Sequence, residues 1–310
     1  MNIKICGTGS ALPEKVMTNK DLEKLVDTED SWIVERTGIS KRHMVSEDES
    51  AATLGAKAAE NALLMSGYTL DDIDLILVAT CSDDQRTPNC ACKVQKLLGK
   101  TNIPAFDINS ACTGFLTALT IADAYFNAGI YKRILIIGTE TLSRMTDYSD
   151  RGTCILFGDG AGAVVAEAVE SEERVISTLY ADGEKGDALT CIAGEKLKMD
   201  GKAVYKFATR SVPETINNTL EKAGLTVEDV DYFVLHQANK RIIDSIAKTL
   251  KSDISKFPMN ISEVGNMSSA SIPVLLDEIN RKNLLKKGDI IILSGFGAGL
   301  TYGSCVLKWE

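Results

Sequence analysis

Short apolar runs alternate along this chain with longer stretches of helical spacing. Leu75-Ile76-Leu77-Val78-Ala79, Ile134-Leu135-Ile136-Ile137 and Phe233-Val234-Leu235 carry no polar interruption, the pattern of strands covered on both faces. Between them the spacing predicts helices over roughly Ala51–Ser66, stopped by Gly67, and from Leu116 through Tyr125 to a stop at Gly129. Further helices are expected to begin near Lys240 and near Ser271-Ile272-Pro273. Ile103-Pro104-Ala105-Phe106 reads as the end of a buried strand leading toward Cys112. Residues 11–50 break this rhythm: they are polar and mixed, with a short helical pattern over Lys20–Asp27, and predict an exposed arm or cap. Such alternation places strands in sheets with helices on their faces, an α/β fold.

The grammar repeats. Gly67 followed by Leu70-Asp71-Asp72-Ile73-Asp74-Leu75 is answered by Gly224 followed by Val227-Glu228-Asp229-Val230-Asp231-Tyr232, at an offset of 157. Ile134 and Ile290 head a second matching pair at an offset of 156. Two pairs at nearly one spacing predict a duplicated unit whose halves, 1–170 and 171–310, pack together. The same shift sets Cys112 opposite Ser269, so that equivalent helix starts of both halves face one shared site.

At 310 residues and 45% hydrophobic content, the chain has material for a large core. A net charge of −9 argues against nucleic-acid binding, and an acidic partner would need a local basic patch. No apolar run approaches the roughly 20 residues that cross a bilayer, and Asn2-Ile3-Lys4-Ile5 enters a strand pattern directly. A soluble cytoplasmic protein with no membrane partner is expected. Eight cysteines spread through apolar and helical patterns read as reduced thiols. Cys90-Ala91-Cys92 lacks the second cluster that a metal site needs, so no metal is expected.

Cys112 stands where an apolar run breaks into a helix. Unpaired N–H groups and the helix dipole favour an anion there, so its thiol is expected to ionise more easily than a free cysteine. A cysteine before a helix is also an ordinary small core residue. Of the two histidines, His43 lies in polar Lys41-Arg42-His43 and reads as solvated. His236 instead ends the buried strand Asp231–Leu235, where α/β folds place ligand and catalytic groups. Asn266 follows Gly265 in a loop, where an amide also serves turns. The glycine-rich Phe157-Gly158-Asp159-Gly160-Ala161-Gly162 lacks P-loop spacing and reads as tight packing of a turn and strand.

Together the stretches Trp32-Ile33-Val34-Glu35-Arg36-Thr37-Gly38-Ile39, Asn109-Ser110-Ala111-Cys112-Thr113-Gly114, Asp150-Arg151-Gly152-Thr153, His236-Gln237-Ala238-Asn239 and Gly265-Asn266-Met267-Ser268-Ser269 resemble β-ketoacyl-acyl-carrier-protein synthase III, of the thiolase superfamily. The resemblance runs the whole length of the chain. It implies a thiolase-like duplicated five-layer αβαβα sandwich, a homodimer, and a catalytic triad of Cys112, His236 and Asn266. It implies an enzyme that initiates fatty-acid synthesis. An acyl-CoA primer would condense with malonyl-acyl-carrier protein, with loss of carbon dioxide, through an acyl-Cys112 intermediate. Coenzyme A thioester is then a substrate, and no cofactor is implied.

By the same resemblance the N–H groups of Cys112 and Ala298 form an oxyanion hole, Trp32 and Arg151 sandwich the adenine of coenzyme A, and Arg36 meets its phosphates. Lys206, Arg241 and Lys248 would dock the acidic carrier protein, in keeping with the basic run from Lys240 to Lys256. Ala298 stands where relatives often have glycine, a change that keeps the N–H. Thr87 replaces a phenylalanine found in some relatives at the floor of the acyl pocket, which implies acceptance of primers longer or bulkier than acetyl. The segment Thr190–Lys202 is shorter than in some relatives. Two further readings stay open: a secondary-metabolism acyltransferase or condensing enzyme of the same family, and a non-catalytic acyl-CoA or carrier-protein binding subunit.

Overall fold

The computed structural model describes residues 2–171 and 174–310. Its apolar runs become strands β1 (Asn2–Ala11), β2 (Leu75–Ala79), β3 (Ala105–Ile108), β4 (Arg133–Thr141) and β5 (Asp159–Val169) of one sheet. Strands β6 (Ile176–Ala181), β7 (Tyr232–Leu235), β8 (Ile290–Gly297) and β9 (Thr301–Lys308) make another. The first sheet is ordered β1-β5-β4-β2-β3 and the second β6-β9-β8-β7. Equivalent neighbours also agree in direction: β4 is parallel to β2 as β8 is to β7, and antiparallel to β5 as β8 is to β9. Only β3 lacks a counterpart among the described residues.

Strand alternation sends Leu75 and Leu77 to one face of the first sheet and Ile76 and Val78 to the other. The principal helices are α1 (Ala51–Ser66), α2 (Cys90–Leu97), α3 (Gly114–Asn127), α4 (Gly201–Ala223), α5 (Lys240–Leu250) and α6 (Ser271–Arg281). Phe115, Leu119 and Phe126 of α3 and Ile272, Leu275 and Ile279 of α6 share one core with Leu75 and Leu77 on one side and Leu293 and Leu307 on the other. Helices α1 and α2 cover the outer face of the first sheet, while α4 and α5 cover that of the second. The result is the expected five-layer αβαβα sandwich.

The duplication extends to single hydrogen bonds. Gly67 and Gly224 both close their helices in the left-handed region, with φ of 74° and 69°. Asp74 accepts from the N–H of Arg133 at 2.9 Å, and Asp231 from that of Ile290 at 2.8 Å, so each carboxylate ties its strand to the start of the next.

Three expectations are corrected. β3 begins at Ala105 and is half-buried throughout, because it forms the sheet edge and pairs with β2 alone. The polar arm keeps an exposed face but is pinned to the body through a buried one. Arg42 within it is wholly buried, donating to Ile155 O at 2.7 Å and to Asn19 Oδ1 at 2.9 Å, and His43 Nδ1 lies 2.6 Å from Pro13 O. The helical pattern of Lys20–Asp27 shrinks to Asn19–Leu22, and a second short helix, Asp30–Thr37, carries Trp32 and Arg36.

Candidate active site

Cys112 lies in the single turn Ala111–Thr113 that precedes α3, and Ser269 lies in the matching turn Ser268–Ala270 that precedes α6. Ala111 and Ser268, which open the two turns, share a φ of 45°. Each turn packs on the central strand of the opposite half, and a glycine makes the room. A Cβ on Gly138 of β4 would fall 2.4 Å from Ser269 O, and one on Gly297 of β8 would fall 2.7 Å from Cys112 N. The two turns also touch each other. This crossing sets residues from both halves around one point.

His236 follows β7 on the far side of Gly295, where a Cβ would meet His236 Cβ at 3.3 Å and Cys112 O at 3.6 Å. Its ring packs edge-on against Phe296, with centroids 5.6 Å apart, and Nδ1 is buried without a partner among the described residues. Asn266 is fixed by its backbone, which donates to Leu156 O and accepts from Gly158 N–H, each at 2.9 Å. Its side-chain Oδ1 accepts from Ser268 N–H at 2.9 Å, which leaves the amide nitrogen as the free donor. Cys112, Ala298 and Ser268 line a cavity of about 180 Å³, whose apolar wall includes Leu142, Met145, Phe157 and Leu189. His236 and Asn266 are not part of that lining: Gly295 packs between His236 and Cys112, and Asn266 connects to the cavity through its bond to Ser268.

Electrostatics here run against the local expectation. Burial pushes the Cys112 thiol up to about 12, and the nearby Glu140 carboxyl adds to the effect. A helix end contributes about 0.3–2 kcal/mol, less than the cost of stripping water from a thiolate. Burial also lowers His236 to about 3, so its imidazole is neutral at physiological pH. Alkylation of Cys112 by iodoacetamide should therefore rise roughly tenfold per pH unit from pH 6.5 to 9.5 without levelling, since the thiolate fraction sets the rate. Following the Cys112 peptide by mass spectrometry checks this; a plateau below pH 8 would restore the activated thiol.

Glu140 and Cys81 were missed in the sequence, whereas Ser269 was placed opposite Cys112 by the repeat. Glu140 ends β4 wholly buried and accepts from Ser82 Oγ at 2.5 Å, Ser269 Oγ at 2.7 Å and Cys81 N–H at 3.1 Å. The reasoning that singled out His236, a polar group ending a buried strand, applies equally to Glu140.

The outer residues form separate groups. Arg151 stacks on Trp32, its guanidinium carbon 4.8 Å from the ring centroid, and Arg36 lies 5.8 Å from the same ring. Ring and guanidinium are in direct contact, so an adenine between them requires Arg151 to release Asp27 O, to which it donates at 2.9 Å. Arg241 sits over Tyr205, bringing α5 and its exposed Lys248 against the stretch of α4 that bears exposed Lys206. Thr87 is exposed in the loop between β2 and α2, outside the cavity lining. Within one chain it is not the pocket floor, and the room inferred from it does not belong to this cavity.

Two family models match the chain: 3-oxoacyl-[acyl-carrier-protein] synthase III over residues 106–183 and its C-terminal region over 220–309. The chain is 46% identical to β-ketoacyl-[acyl-carrier-protein] synthase III of Clostridium acetobutylicum, across 99% of each. The crystal structure of 3-oxoacyl-[acyl-carrier-protein] synthase III from Aquifex aeolicus VF5 matches with a TM-score of 0.96 and 42% identity, covering 99% of this chain and 100% of that one. The priming β-ketosynthase of the R1128 polyketide pathway matches at 0.94 and 33%, covering 100% and 96%. With a five-layer duplicated fold and a buried cysteine at the crossing of its two halves, this chain belongs to the β-ketoacyl-[acyl-carrier-protein] synthase III family.

Proposed function

We propose that this chain takes an acyl group from coenzyme A onto Cys112 and condenses it with malonyl-acyl-carrier protein, releasing carbon dioxide and 3-oxoacyl-carrier protein as the first condensation of fatty-acid synthesis. The observation that carries the reading is the crossing of the two turns, which sets Cys112 on an apolar cavity and brings Gly295 and Ser268, its neighbours, against His236 and Asn266. Cys112 Sγ attacks the thioester carbonyl, the N–H groups of Cys112 and Ala298 receive the developing oxyanion, and on its collapse the carbon–sulfur bond to coenzyme A breaks, the proton from Cys112 ending on the departing coenzyme A thiol. The apolar wall then holds the acyl chain. Decarboxylation of the malonyl group moves negative charge onto its thioester oxygen, where His236 and the Asn266 amide donate. A neutral imidazole suits this task. An imidazolium would bind the malonyl carboxylate as an ion pair and stabilise the ground state, whereas a neutral N–H gains most as the enolate forms. The carbanion attacks the acyl-Cys112 carbonyl, and the thiolate leaves.

Trp32, Arg36 and Arg151 supply the planes and charges suited to the nucleotide end of coenzyme A, after Arg151 swings away from the ring. The Asn239 amide donates to Arg36 O at 3.0 Å, so this group shares a rim with the basic start of α5. There Lys206, Arg241 and Lys248 dock the acidic carrier protein. Arg241→Ala should raise the KM for malonyl-carrier protein about three- to tenfold at low salt, leave that for acyl-CoA unchanged, and lose its effect as salt rises. An unchanged KM would remove this surface from the scheme.

The open edge of β3 supports a homodimer, since an unpaired strand edge invites pairing with a second copy. Light scattering at twice the 33.5 kDa chain mass is expected. The eight unpaired cysteines suit the reducing cytoplasm. The likeness to a priming β-ketosynthase supports a second reading in which the same chemistry serves another pathway and acceptor. Incubation with mixed acyl-CoAs, weighing the adduct on Cys112, identifies the primer; carbon dioxide release from malonyl-carrier protein then separates the readings. Absence of any adduct would leave only a binding subunit.

A further inference from the structure

The pseudo-twofold relation of the halves is broken at one informative position. Shifted by 157, Glu140 of β4 corresponds to Gly297 of β8, just as Ser269 corresponds to Cys112. Position 297 is bare and lies against Cys112 N. Position 140 holds a carboxylate that grips the matching turn, accepting from Ser269 Oγ at 2.7 Å and from Ser269 N–H at 3.3 Å. One turn is left open for a nucleophile that becomes negative during the reaction, while its twin is anchored by a buried carboxyl group.

Glu140 joins further segments. Its carboxylate also receives Thr80 Oγ1 at 3.3 Å, Cys81 N–H at 3.1 Å and Ser82 Oγ at 2.5 Å, and Ser82 Oγ in turn accepts from Thr141 N–H at 2.7 Å. Cys81 Sγ lies 3.8 Å from Ser268 Oγ, and both residues line the cavity with Cys112. Ser268 N–H is the group that Asn266 Oδ1 accepts, so the grip on Ser269 reaches the Asn266 amide across one short turn. Each carboxyl oxygen of Glu140 accepts a backbone N–H, Oε1 from Ser269 and Oε2 from Cys81, and a carboxamide nitrogen in either place could not accept it.

We propose that Glu140 is a positioning residue that holds the Ser268–Ser269 turn, and through it the Asn266 amide, in place for decarboxylation. In Glu140→Gln the new NH₂ group would face the donors of Ser269 or Ser82 and push the turn off its seat. The inference rests on the condensing reaction proposed above, in which acylation uses Cys112 and decarboxylation uses Asn266. Its effect should fall on one half-reaction.

The test separates them. Wild type, Glu140→Gln and Ser269→Ala are each acylated with acyl-CoA, followed by mass spectrometry, then freed of excess reagent and given malonyl-carrier protein in a carbon dioxide release assay. Glu140→Gln should acylate within about threefold of wild type but release carbon dioxide roughly 10- to 100-fold more slowly, with the KM for malonyl-carrier protein within twofold. Ser269→Ala, which keeps the carboxyl and the Ser269 N–H contact but removes the hydroxyl that meets Glu140 and Ala79 O, should lose about three- to tenfold in the same step, and it carries the test if Glu140→Gln does not fold. Equal losses in both half-reactions, or loss in neither, would overturn the positioning role. A wild-type protein that neither acylates nor releases carbon dioxide would instead overturn the reaction itself.

Discussion

The Cys112→Ala variant is expected to form no covalent adduct with acyl-CoA and to lose condensation by a factor on the order of 10⁴–10⁶, the scale on which enzymes fail when a covalent nucleophile is removed. Cys112 is buried to within 7% of full exclusion, and truncating it removes a single sulfur from a site that already borders a cavity. The cost in stability should be about 1 kcal/mol or less, so the loss will not come from unfolding. His236 and Asn266 remain, and slow carbon dioxide release from malonyl-carrier protein should persist without an acyl acceptor. His236→Ala should do the reverse, acylating Cys112 while decarboxylation fails. Mass spectrometry of the protein and capture of carbon dioxide measure the two arms independently. Cys81 and Cys191 share the cavity with Cys112. A Cys112→Ala protein that still carried an acyl group on either, at normal turnover, would move the nucleophile and dismantle the scheme.

How much of this was legible in the sequence depended on the range of the forces involved. Leu75–Ala79 and Ile134–Ile137 declared themselves as buried strands because every residue in them answers to burial on one sheet face or the other. The duplication was legible because Gly67 and Gly224 each meet a local demand, a left-handed helix stop, and Asp74 and Asp231 each meet another. Arg42 misled because the polar character of its neighbours says nothing about the carbonyls of Met17 and Ile155, which the fold brings to its guanidinium. Cys112 misled for the same reason. Its helix-end position is written within a few residues, but the burial that dominates its titration comes from the other half of the chain, where Gly297 is pressed against it. Glu140 was written plainly at the end of an apolar strand, and only its partners, Ser269 above all, were hidden.

Gly297→Ala is the second large effect, and it tests the crossing of the halves directly. The added Cβ would lie 2.7 Å from Cys112 N and 2.8 Å from Cys112 Cβ, closer than carbon atoms approach. Neither side can yield cheaply. Gly297 is paired with Thr301 in the β8–β9 ladder, and the Cys112 turn is held by Thr113 Oγ1, which donates to Ser110 O at 2.8 Å and meets Thr301 Oγ1 at 2.9 Å. The strain therefore falls on the Cys112 N–H, the group proposed to receive the oxyanion. Displacing one such donor costs about 10²–10³ in rate, and overpacking costs a further 1–3 kcal/mol or so of stability. Acylation of Cys112 should slow by at least the first factor in protein that remains folded by circular dichroism. Gly295→Ala is the graded control, because its nearest neighbour, His236 Cβ, would stand at 3.3 Å, a contact a small shift relieves, and Gly183→Ala meets nothing within 4 Å. The order Gly297, Gly295, Gly183 in severity follows from backbone approach alone. A Gly297→Ala protein that acylates as fast as wild type would mean that the turn and strand are not pressed together, and that the two halves do not meet at the reacting sulfur.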